Sequence, residues 1–502
     1  MSQSDLTRAA LADLERLTAQ IKERNEAPKP PAEPYSHWAP SDAGNAGYFL
    51  DLCGHHLRYL PELRLWRIWD DRRWADDLSG EVFDWTVAVG KYHLDAARDF
   101  SGRARAECYR WGLASTSVSR RRALLETAAT FSSVTSSLTD YDRDPLLLNC
   151  RNGTLDLRDV TLRSHDRADL ISRFAPVDYL PDAPCPRWDQ FLLEVFQGDV
   201  GLVSFASRLA GYLLTGRTEE QAAFFLVGKG ANGKSVFVET LRDLLGDYAH
   251  DTPASTFLDP RNLASDFAPF VGARLITVSE GDASRGLNEP LFKRLTGGDL
   301  LTCKRPYRDS FSYTPAFKLL FVVNELPRLG SQGHALRRRL RLLPFRQTFY
   351  APEENREPRR DEGLRAKLQE ELPGILAWAV RGCQEWLRDG LRPPDAVVQE
   401  TTSQLDAADP LADFLAEICR FEPTAQVETS KLWQAYKDYC RRHSRTPAYK
   451  GPTGFNRTLA QRDGIDILRR YQGRYLVGLG LRPSPEETDG PAASSAAPAP
   501  IP

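Results

Sequence analysis

A glycine-rich segment in the middle of the chain constrains the fold more than any other feature. Residues 222–227 (AAFFLV) have an apolar strand pattern, residues 228–235 (GKGANGKS) match G-x-x-x-x-G-K-[S/T], and a helix pattern follows. The apolar stripe of that helix consists of Val236, Phe237, Thr240, Leu241, Leu244 and Leu245. Because such a loop needs a strand before it and a helix after it, the segment predicts an α/β fold built on a P-loop core.

The residue types of this loop indicate nucleotide binding. Glycines allow backbone N–H groups to face phosphate oxygens without a Cβ in the way, and the helix N-terminus adds a positive dipole. Lys234 would neutralise the β- and γ-phosphates, and the Ser235 hydroxyl would be a ligand of Mg²⁺. We therefore expect ATP and Mg²⁺ as cofactors. The predicted binding residues are Gly228, Lys229, Gly230, Ala231, Asn232, Gly233, Lys234, Ser235 and Val236.

Two later strand patterns end in polar residues that complete a hydrolytic site. Residues 274–279 precede Glu280, which lies 46 residues after Lys234, and residues 317–323 precede Asn324. A carboxylate at a strand end holds Mg²⁺ through water or activates the attacking water, and an amide can reach the γ-phosphate. We predict that Glu280 and Asn324 are catalytic and that Glu280 also serves the metal, with Asp282 as an alternative acid.

Two basic segments lie near these strands. Residues 337–341 (RRRLR) contain Arg338, 14 residues after Asn324, and Arg339; either would act in trans on a neighbour's ATP. Residues 300–314 have the pattern of a hairpin, and a basic, aromatic tip of this kind suits a phosphate backbone. Its predicted DNA-binding residues are Lys304, Arg305, Tyr307 and Arg308. The alternative for both segments is an ordinary solvated basic surface.

This series of motifs resembles that of a superfamily 3 helicase. More narrowly, it is similar to the helicase half of the phage/plasmid primase-helicases, which are relatives of the poxvirus primase-helicase. The similar segments include KRLTGGD (293–299), FKLLFVVNELPRL (317–329) and RRLRLLPF (338–345), and the resemblance covers roughly residues 36–480.

The resemblance implies a role for each motif. Lys234 and Ser235 bind ATP and Mg²⁺, Glu280 is the Walker B acid, Asn324 is the sensor, and Arg338, preferred to Arg339, is the arginine finger. It implies an AAA+-like core in a homo-oligomeric ring, mostly a hexamer, that moves single-stranded DNA through a central channel. Helices at 188–214 would form a collar.

The chain departs from the family pattern in three places. Ser279 stands where many relatives have a second acid, and Arg337 stands where an aromatic residue is common. About 35 residues precede the similar region, too few for a polymerase fold, so we expect a separate primase as partner. Asp142 and Asp144 form a D-x-D pair that would suit a polymerase metal site, but they lie in the segment before the helicase core.

Composition excludes several classes of protein. No apolar run approaches the ~20 residues that span a bilayer, and the charged N-terminus is not a signal peptide. Eight cysteines form no C-x-x-C pair, which favours a reducing cytoplasm, in a bacterial host of a phage or plasmid. A possible metal cluster consists of Cys53, His55 and His56, but an ordinary surface turn is the favoured alternative.

Residues 57–74 predict aromatic-rich strands. Their interleaved arginines suit either nucleic-acid contact or a half-buried hairpin.

The chain divides into seven predicted segments. They are a charged helix and proline-rich linker (1–35), a mixed α/β region (36–138), a hairpin and helical collar (139–215), the ATPase core (216–350), a helical continuation (351–409), a basic winged-helix-like domain (410–482) and a disordered tail (483–502). Within the collar segment, residues 146–158 predict a hairpin that turns at Asn152-Gly153.

The formal net charge of −2 conceals a strongly basic segment. Residues 431–475 hold eleven lysines and arginines against three aspartates. Helices followed by a hairpin, with basic faces, predict a winged-helix module that binds DNA, although a docking domain with a solvated basic surface is an alternative.

Three functions are compatible with these patterns. An ATP-dependent DNA helicase accounts for the basic hairpin and the arginine motif together. An ATP-switched, origin-binding initiator or loader without processive unwinding would use the same loop. Phosphotransfer to a small molecule is disfavoured because we identify no acceptor site in the sequence.

Overall fold

The computed structural model describes residues 40–258, 264–279, 287–304, 310–324, 326, 334–351, 354, 356–407, 409–460, 462, 464–471 and 473–482. The predicted N-terminal helix and linker (1–35) and the tail (483–502) lie outside these ranges. Inside them, no helix is long and apolar enough to span a membrane. All eight cysteines fall within the ranges, and each is buried and free of disulfide bonds.

Residues 40–140 combine helices with a small antiparallel sheet. The helices are α1 (Asp42–Cys53), α2 (Glu81–Trp85), α3 (Val87–Ala96), α4 (Gly102–Ser115) and α5 (Val118–Ala128). The strands, in the order β1-β2-β3, are β1 (Leu57–Leu60), β2 (Leu65–Trp69) and β3 (Trp74–Asp76). The predicted aromatic strands are therefore confirmed. Trp69 and Trp74 are buried, and the Arg67 guanidinium bonds to Asp76 at 2.7 Å, so these side chains stabilise the hairpin.

A second antiparallel sheet and two helices precede the central sheet. The strands are β4 (Leu147–Cys150), β5 (Gly153–Asp156) and β6 (Thr161–Arg163), and the helices are α6 (Pro186–Val195) and α7 (Val200–Leu214). The predicted hairpin and helices are confirmed. The turn begins one residue earlier than predicted, because Gly153 already pairs with Cys150 and leaves Arg151 and Asn152 between the strands.

Five parallel strands form the central sheet, in the order β13-β7-β12-β9-β8. They are β7 (Ala223–Val227), β8 (Ala249–Pro253), β9 (Leu275–Ser279), β12 (Lys318–Val323) and β13 (Leu340–Pro344). The sequences AFFLV and LITVS are nearly continuous apolar runs, as expected for strands covered on both faces. One face packs on α6, α7 and the helices that follow β7 and β13, and the other face packs on β1–β3 and the helices between β8 and β12.

The remaining elements of the core surround this sheet. The helices are α8 (Lys234–Leu245), α9 (Ser255–Leu258), α10 (Glu289–Gly297), α11 (His334–Arg337), α12 (Leu364–Glu370), α13 (Leu372–Asp389) and α14 (Asp395–Ala407). The predicted basic hairpin is confirmed as β10 (Leu301–Lys304) paired with β11 (Ser310–Tyr313). Cys303, Phe311 and Tyr313 are buried at its base.

Residues 411–481 form a separate hydrophobic core. The elements are α15 (Ala412–Ile418), β14 (Cys419–Glu428), α16 (Thr429–Arg442), α17 (Pro452–Leu459), β15 (Asp466–Arg470) and β16 (Gly473–Leu481). The antiparallel sheet has the order β14-β16-β15. Leu432, Tyr436 and Tyr439 are buried on one face of α16, where the sequence places an apolar stripe. The predicted helices and terminal hairpin of this region are thus present.

Helices α7 and α13 approach each other so closely that glycine is required at the crossing. A Cβ added to Gly211 would lie 2.0 Å from the Cys383 backbone nitrogen, and one added to Gly382 would lie 2.0 Å from the Ser207 carbonyl oxygen. Both distances are far below van der Waals contact. The two helices therefore pack backbone to backbone, and α7 holds α13 against the central sheet.

We expect Gly211→Ala to lower the free energy of unfolding by about 1–3 kcal/mol, because the added methyl group forces the helices apart. Thermal or urea unfolding followed by circular dichroism measures this change. Gly454→Ala is the matched control: this glycine also lies in a helix, and its added Cβ would lie at an ordinary 3.7 Å from Tyr449. Equal stability of the two variants would contradict the close crossing.

Candidate functional site

The glycine-rich loop connects β7 to α8 and has the backbone conformation that its glycines permit. Gly230 and Gly233 have φ values of +94° and +88°, in the region that L-residues rarely adopt. A Cβ at Gly228 would lie 2.3 Å from the Phe345 carbonyl oxygen, so only glycine fits beside the neighbouring strand β13. The Asn232 amide closes the loop by donating to the same oxygen at 3.3 Å.

Lys234 and Asn324 meet at this loop. The Lys234 side chain is largely buried, and its ammonium donates to the Gly228 carbonyl and, at 3.1 Å, to Asn324 Oδ1. The parallel register explains this contact, because Val323 of β12 pairs with Val227 of β7. Asn324 directly follows Val323, and Lys234 follows Val227 after the glycine-rich loop. Two residues predicted separately from the sequence are thus brought into contact.

A cavity of about 1100 Å³ opens beside the loop. Seven of the nine residues predicted to bind nucleotide line it: Gly230, Ala231, Asn232, Gly233, Lys234, Ser235 and Val236. Gly228 and Lys229 do not belong to its lining. Ser235, in the first turn of α8, is solvent-exposed. Asn324 lines the same cavity.

The predicted acids belong to the segment that follows β9 in the sequence. Ser279, the last residue of β9, lines the cavity. Glu280 comes directly after it in the sequence, and Asp282 two residues later; both lie outside the described residues. Their assignment therefore stays a prediction.

The predicted arginine fingers lie at the opposite edge of the sheet. Arg338 and Arg339 precede β13, in which Leu340 pairs with Ala223 and Pro344 with Val227. A five-residue strand spans about 16 Å, so neither arginine is near the loop of its own chain, and neither lines the cavity.

The three consecutive arginines have different environments. Arg337 forms an ion pair with Asp406 at 2.7 Å. Arg338 is exposed, with its guanidinium 3.5 Å from Gln221 Oε1. Arg339 is 9% exposed, and its burial, together with the neighbouring Arg338 charge, lowers its pKa. Only Arg338 of the three is thus both exposed and without a carboxylate partner in the described residues.

In the sequence, the predicted DNA-binding residues begin at the last residue of β10 and continue towards β11. Lys304 is the last residue of β10 and pairs with Ser310 across the hairpin. Arg305, Tyr307 and Arg308 lie outside the described residues. The hairpin base is in the structure, and the role of the tip stays a prediction.

The cavity has walls that the sequence motifs do not indicate. Arg187 and Glu194 of α6 line it, as do residues 359–362, 364 and 365, so its lining extends beyond the predicted core of residues 216–350. On the edge strand β8, Asp251 accepts a hydrogen bond of 2.8 Å from Thr277, and both residues line the cavity. No motif marks these residues. Thr277 lies in a predicted apolar strand, whereas the sequence of β8 (AHDTP) has no apolar pattern.

The other candidate metal sites have structural explanations. Asp142 accepts hydrogen bonds from the Ser172 backbone and hydroxyl, and Asp144 forms a 2.6 Å ion pair with Arg158. The Cys53 thiol is buried and donates to the Phe49 carbonyl. Across the described ranges, no group of three or more His, Cys, Asp or Glu residues is arranged to hold a metal ion.

Comparison with known proteins finds two matching family models and several similar viral proteins. A family model described as D5 N terminal like matches residues 46–197, and a model of a family of unknown function (DUF5906) matches residues 226–339. The protein named "Putative helicase L207/L206" of Acanthamoeba polyphaga mimivirus is 27% identical over 323 residues, which cover 60% of this chain and 34% of the relative. "Putative helicase 022R" of Frog virus 3 (isolate Goorha) is 23% identical over 393 residues, covering 62% and 40%.

The chain thus spans about a third to two fifths of the length of these curated relatives. Among solved structures, the apo C-terminal region of NrS-1 is similar with a TM-score of 0.36 and 13% identity. That similarity covers 61% of this chain and 77% of the solved one.

Proposed function

We propose that this chain, a relative of the phage-type primase-helicases, is an ATP-dependent DNA helicase with a superfamily 3, AAA+-like P-loop core. The contact between Lys234 and Asn324 carries the proposal. Two side chains that sequence motifs assign to one phosphate lie 3.1 Å apart at the mouth of a cavity about 1100 Å³ in volume. The names of the viral relatives agree with a helicase function.

The residues around the cavity fit Mg²⁺ and ATP. The loop offers backbone N–H groups at positions where the glycines leave room for phosphate, and the exposed Ser235 hydroxyl would bind the metal. When bound, Mg²⁺ supplies positive charge that offsets the charge developing on the phosphates. Lys234 would move its hydrogen bonds from protein oxygens to the γ-phosphate. Glu280 would accept a proton from the attacking water, and Asn324 would orient that water.

The position of Arg338 supports hydrolysis at an interface between subunits. It lies at the edge of the sheet opposite the loop of its own chain, so it would reach ATP only on a neighbour. A closed ring, most simply a hexamer, gives every ATP an arginine from the next subunit. This arrangement would couple hydrolysis to movement of adjacent subunits.

Two basic surfaces would contact DNA. The β10–β11 hairpin tip, with Lys304, Arg305, Tyr307 and Arg308, would track single-stranded DNA in the central channel. Residues 411–481 would form a winged helix, with α17 as the helix for the major groove and the β15–β16 hairpin as the wing. Partners would be single-stranded and forked DNA, together with a separate primase.

We expect Lys234→Ala to retain the fold and to lose ATP hydrolysis and unwinding by at least about 100-fold, because the charge that neutralises the phosphates is removed. A strand-displacement assay on forked DNA, with ATP against a non-hydrolysable analogue, measures the loss. Lys91→Ala, in α3 and outside the cavity lining, is the control. Normal unwinding by Lys234→Ala would contradict the proposal. Hydrolysis by the wild type without strand displacement would favour an ATP-switched, origin-binding initiator or loader.

We expect subunits carrying Arg338→Ala to complement subunits carrying Lys234→Ala. Each variant alone should lose hydrolysis, by about 1000-fold for the arginine. In a mixed ring, some interfaces combine an intact Lys234 with an intact Arg338, so the mixture should regain part of the ATPase rate. Arg337→Ala, whose native partner is Asp406, is the control. A mixture as inactive as its components would place Arg338 outside the neighbour's site.

The wing supplies a test of DNA binding that is independent of ATP. Tyr471 at its tip is fully exposed, and every residue of β15 is exposed, including Arg469 and Arg470. We expect Tyr471→Ala combined with Arg470→Ala to weaken duplex binding about tenfold and to reduce its salt dependence, with basal ATPase unchanged. Fluorescence anisotropy at two salt concentrations measures both effects. Arg420→Ala is the control, since this exposed arginine of β14 lies 3.6 Å from Glu422. Equal DNA affinity of the two variants would contradict the role of the wing.

A further inference from the structure

A charged segment after the central sheet forms the outer wall of the cavity. We call residues 359–365 the cavity strap; all of them except Gly363 line the same cavity as the glycine-rich loop. The strap contains three arginines, at positions 359, 360 and 365. No motif of the sequence singles it out, and the proposed mechanism does not use it.

Backbone hydrogen bonds fix the strap relative to the loop. The Phe349 N–H donates to the Ala231 carbonyl of the loop at 2.7 Å. The next residue, Tyr350, donates to the Pro358 carbonyl at 2.9 Å and accepts from the Arg360 N–H at 2.8 Å. Arg360 is therefore connected to the loop through one intervening segment, residues 349–350, that hydrogen-bonds to both.

Ion pairs also attach the strap to the helices around the cavity. Arg365 lies 3.1 Å from Glu239 of α8, the helix that begins at Lys234. Asp361 accepts from Lys367 at 2.9 Å and lies 3.4 Å from Arg187 of α6. Ion pairs thus attach the strap both to α8 and to α6.

Arg360 differs from the other two arginines of the strap. Arg359 pairs with Glu357 at 3.0 Å, and Arg365 and Asp361 have the partners given above. The Arg360 side chain is exposed and has no hydrogen bond or ion pair to any residue in the described ranges. Arg360 therefore presents a guanidinium without a carboxylate partner at a cavity beside a glycine-rich loop. Such a group is complementary to a phosphate in both geometry and charge.

We propose that Arg360 binds the polyphosphate of the nucleotide held by the loop of its own chain. This inference rests on the proposed function, since it takes the cavity to be the ATP site. Each nucleotide site would then contain two arginines from two chains. Arg360 would belong to the chain that binds the nucleotide, and Arg338 would come from the neighbouring subunit. Arg360 would act as a positioning residue for the phosphates before the neighbour's arginine arrives.

The test compares affinities for Mg²⁺-ATP and for AMP in the full chain, measured with fluorescent nucleotide displacement. We expect Arg360→Ala to bind Mg²⁺-ATP about tenfold more weakly and AMP with unchanged affinity, because the contact is with the β- and γ-phosphates. Arg360→Lys should recover part of the affinity, since it keeps the charge and loses the bidentate geometry. Arg356→Ala is the matched control: this arginine lies over the Tyr350 ring, 4.0 Å from its centroid, and does not line the cavity.

The outcomes separate this inference from the proposed function. Unchanged ATP affinity in Arg360→Ala, with affinity lost in Lys234→Ala, would overturn the role of Arg360 alone. Unchanged ATP affinity in Lys234→Ala would overturn the proposed function itself. Equal weakening of ATP and AMP binding by Arg360→Ala would overturn the phosphate contact. Circular dichroism and thermal unfolding verify that the variants are folded, and Arg360→Lys supplies the comparison if the alanine variant is not.

Discussion

The parallel pairing of β12 between β7 and β9 determines where every functional group of the core lies. Its register with β7 brings Asn324 to the Lys234 ammonium, and its register with β9 brings Ser279 to the same edge of the sheet. The pairing of β13 on the other side of β7 leaves Arg338 at the opposite edge. One set of backbone hydrogen bonds therefore separates the residues that would serve a chain's own nucleotide from the arginine that would serve a neighbour's.

Buried cations connect this sheet to the helices in front of it. Arg274, just before β9, donates to the Leu214 and Leu147 carbonyls, and Lys318, the first residue of β12, donates to the Thr215 carbonyl. Burial lowers the Lys318 pKa well below its ordinary value. The carbonyls at the C-terminus of α7 would otherwise lack partners, and the helix dipole favours positive charge there. These hydrogen bonds connect the predicted collar segment to β9 and β12, the strands that precede Glu280 and Asn324 in the sequence.

Much of the local structure could be predicted, because it depends on patterns over a few residues. The strand, loop and helix around Lys234, the basic hairpin, the two collar helices, and the helices and terminal hairpin of residues 431–475 appear where periodicity and turn residues place them. The turn before Gly153 differs by one position, since strand pairing decides which residues of a tight turn remain unpaired. The strap was not predicted: its charged sequence has no period, and its partners in the fold are up to 174 residues away in the chain.

The local pattern of residues was enough to predict the strand, loop and helix around Lys234, because an apolar run, a glycine-rich run and an amphipathic run follow one another directly; the same residue types predict a phosphate-binding loop. It also determined that basic residues are concentrated in a hairpin, an arginine run and residues 431–475. Which of these groups share a site depends on the three-dimensional fold. Strand order places Asn324 beside Lys234 and Arg338 away from it, and long-range hydrogen bonds place Arg360 at the same cavity. These contacts depend on pairing between segments far apart in the chain, and no local pattern encodes that pairing.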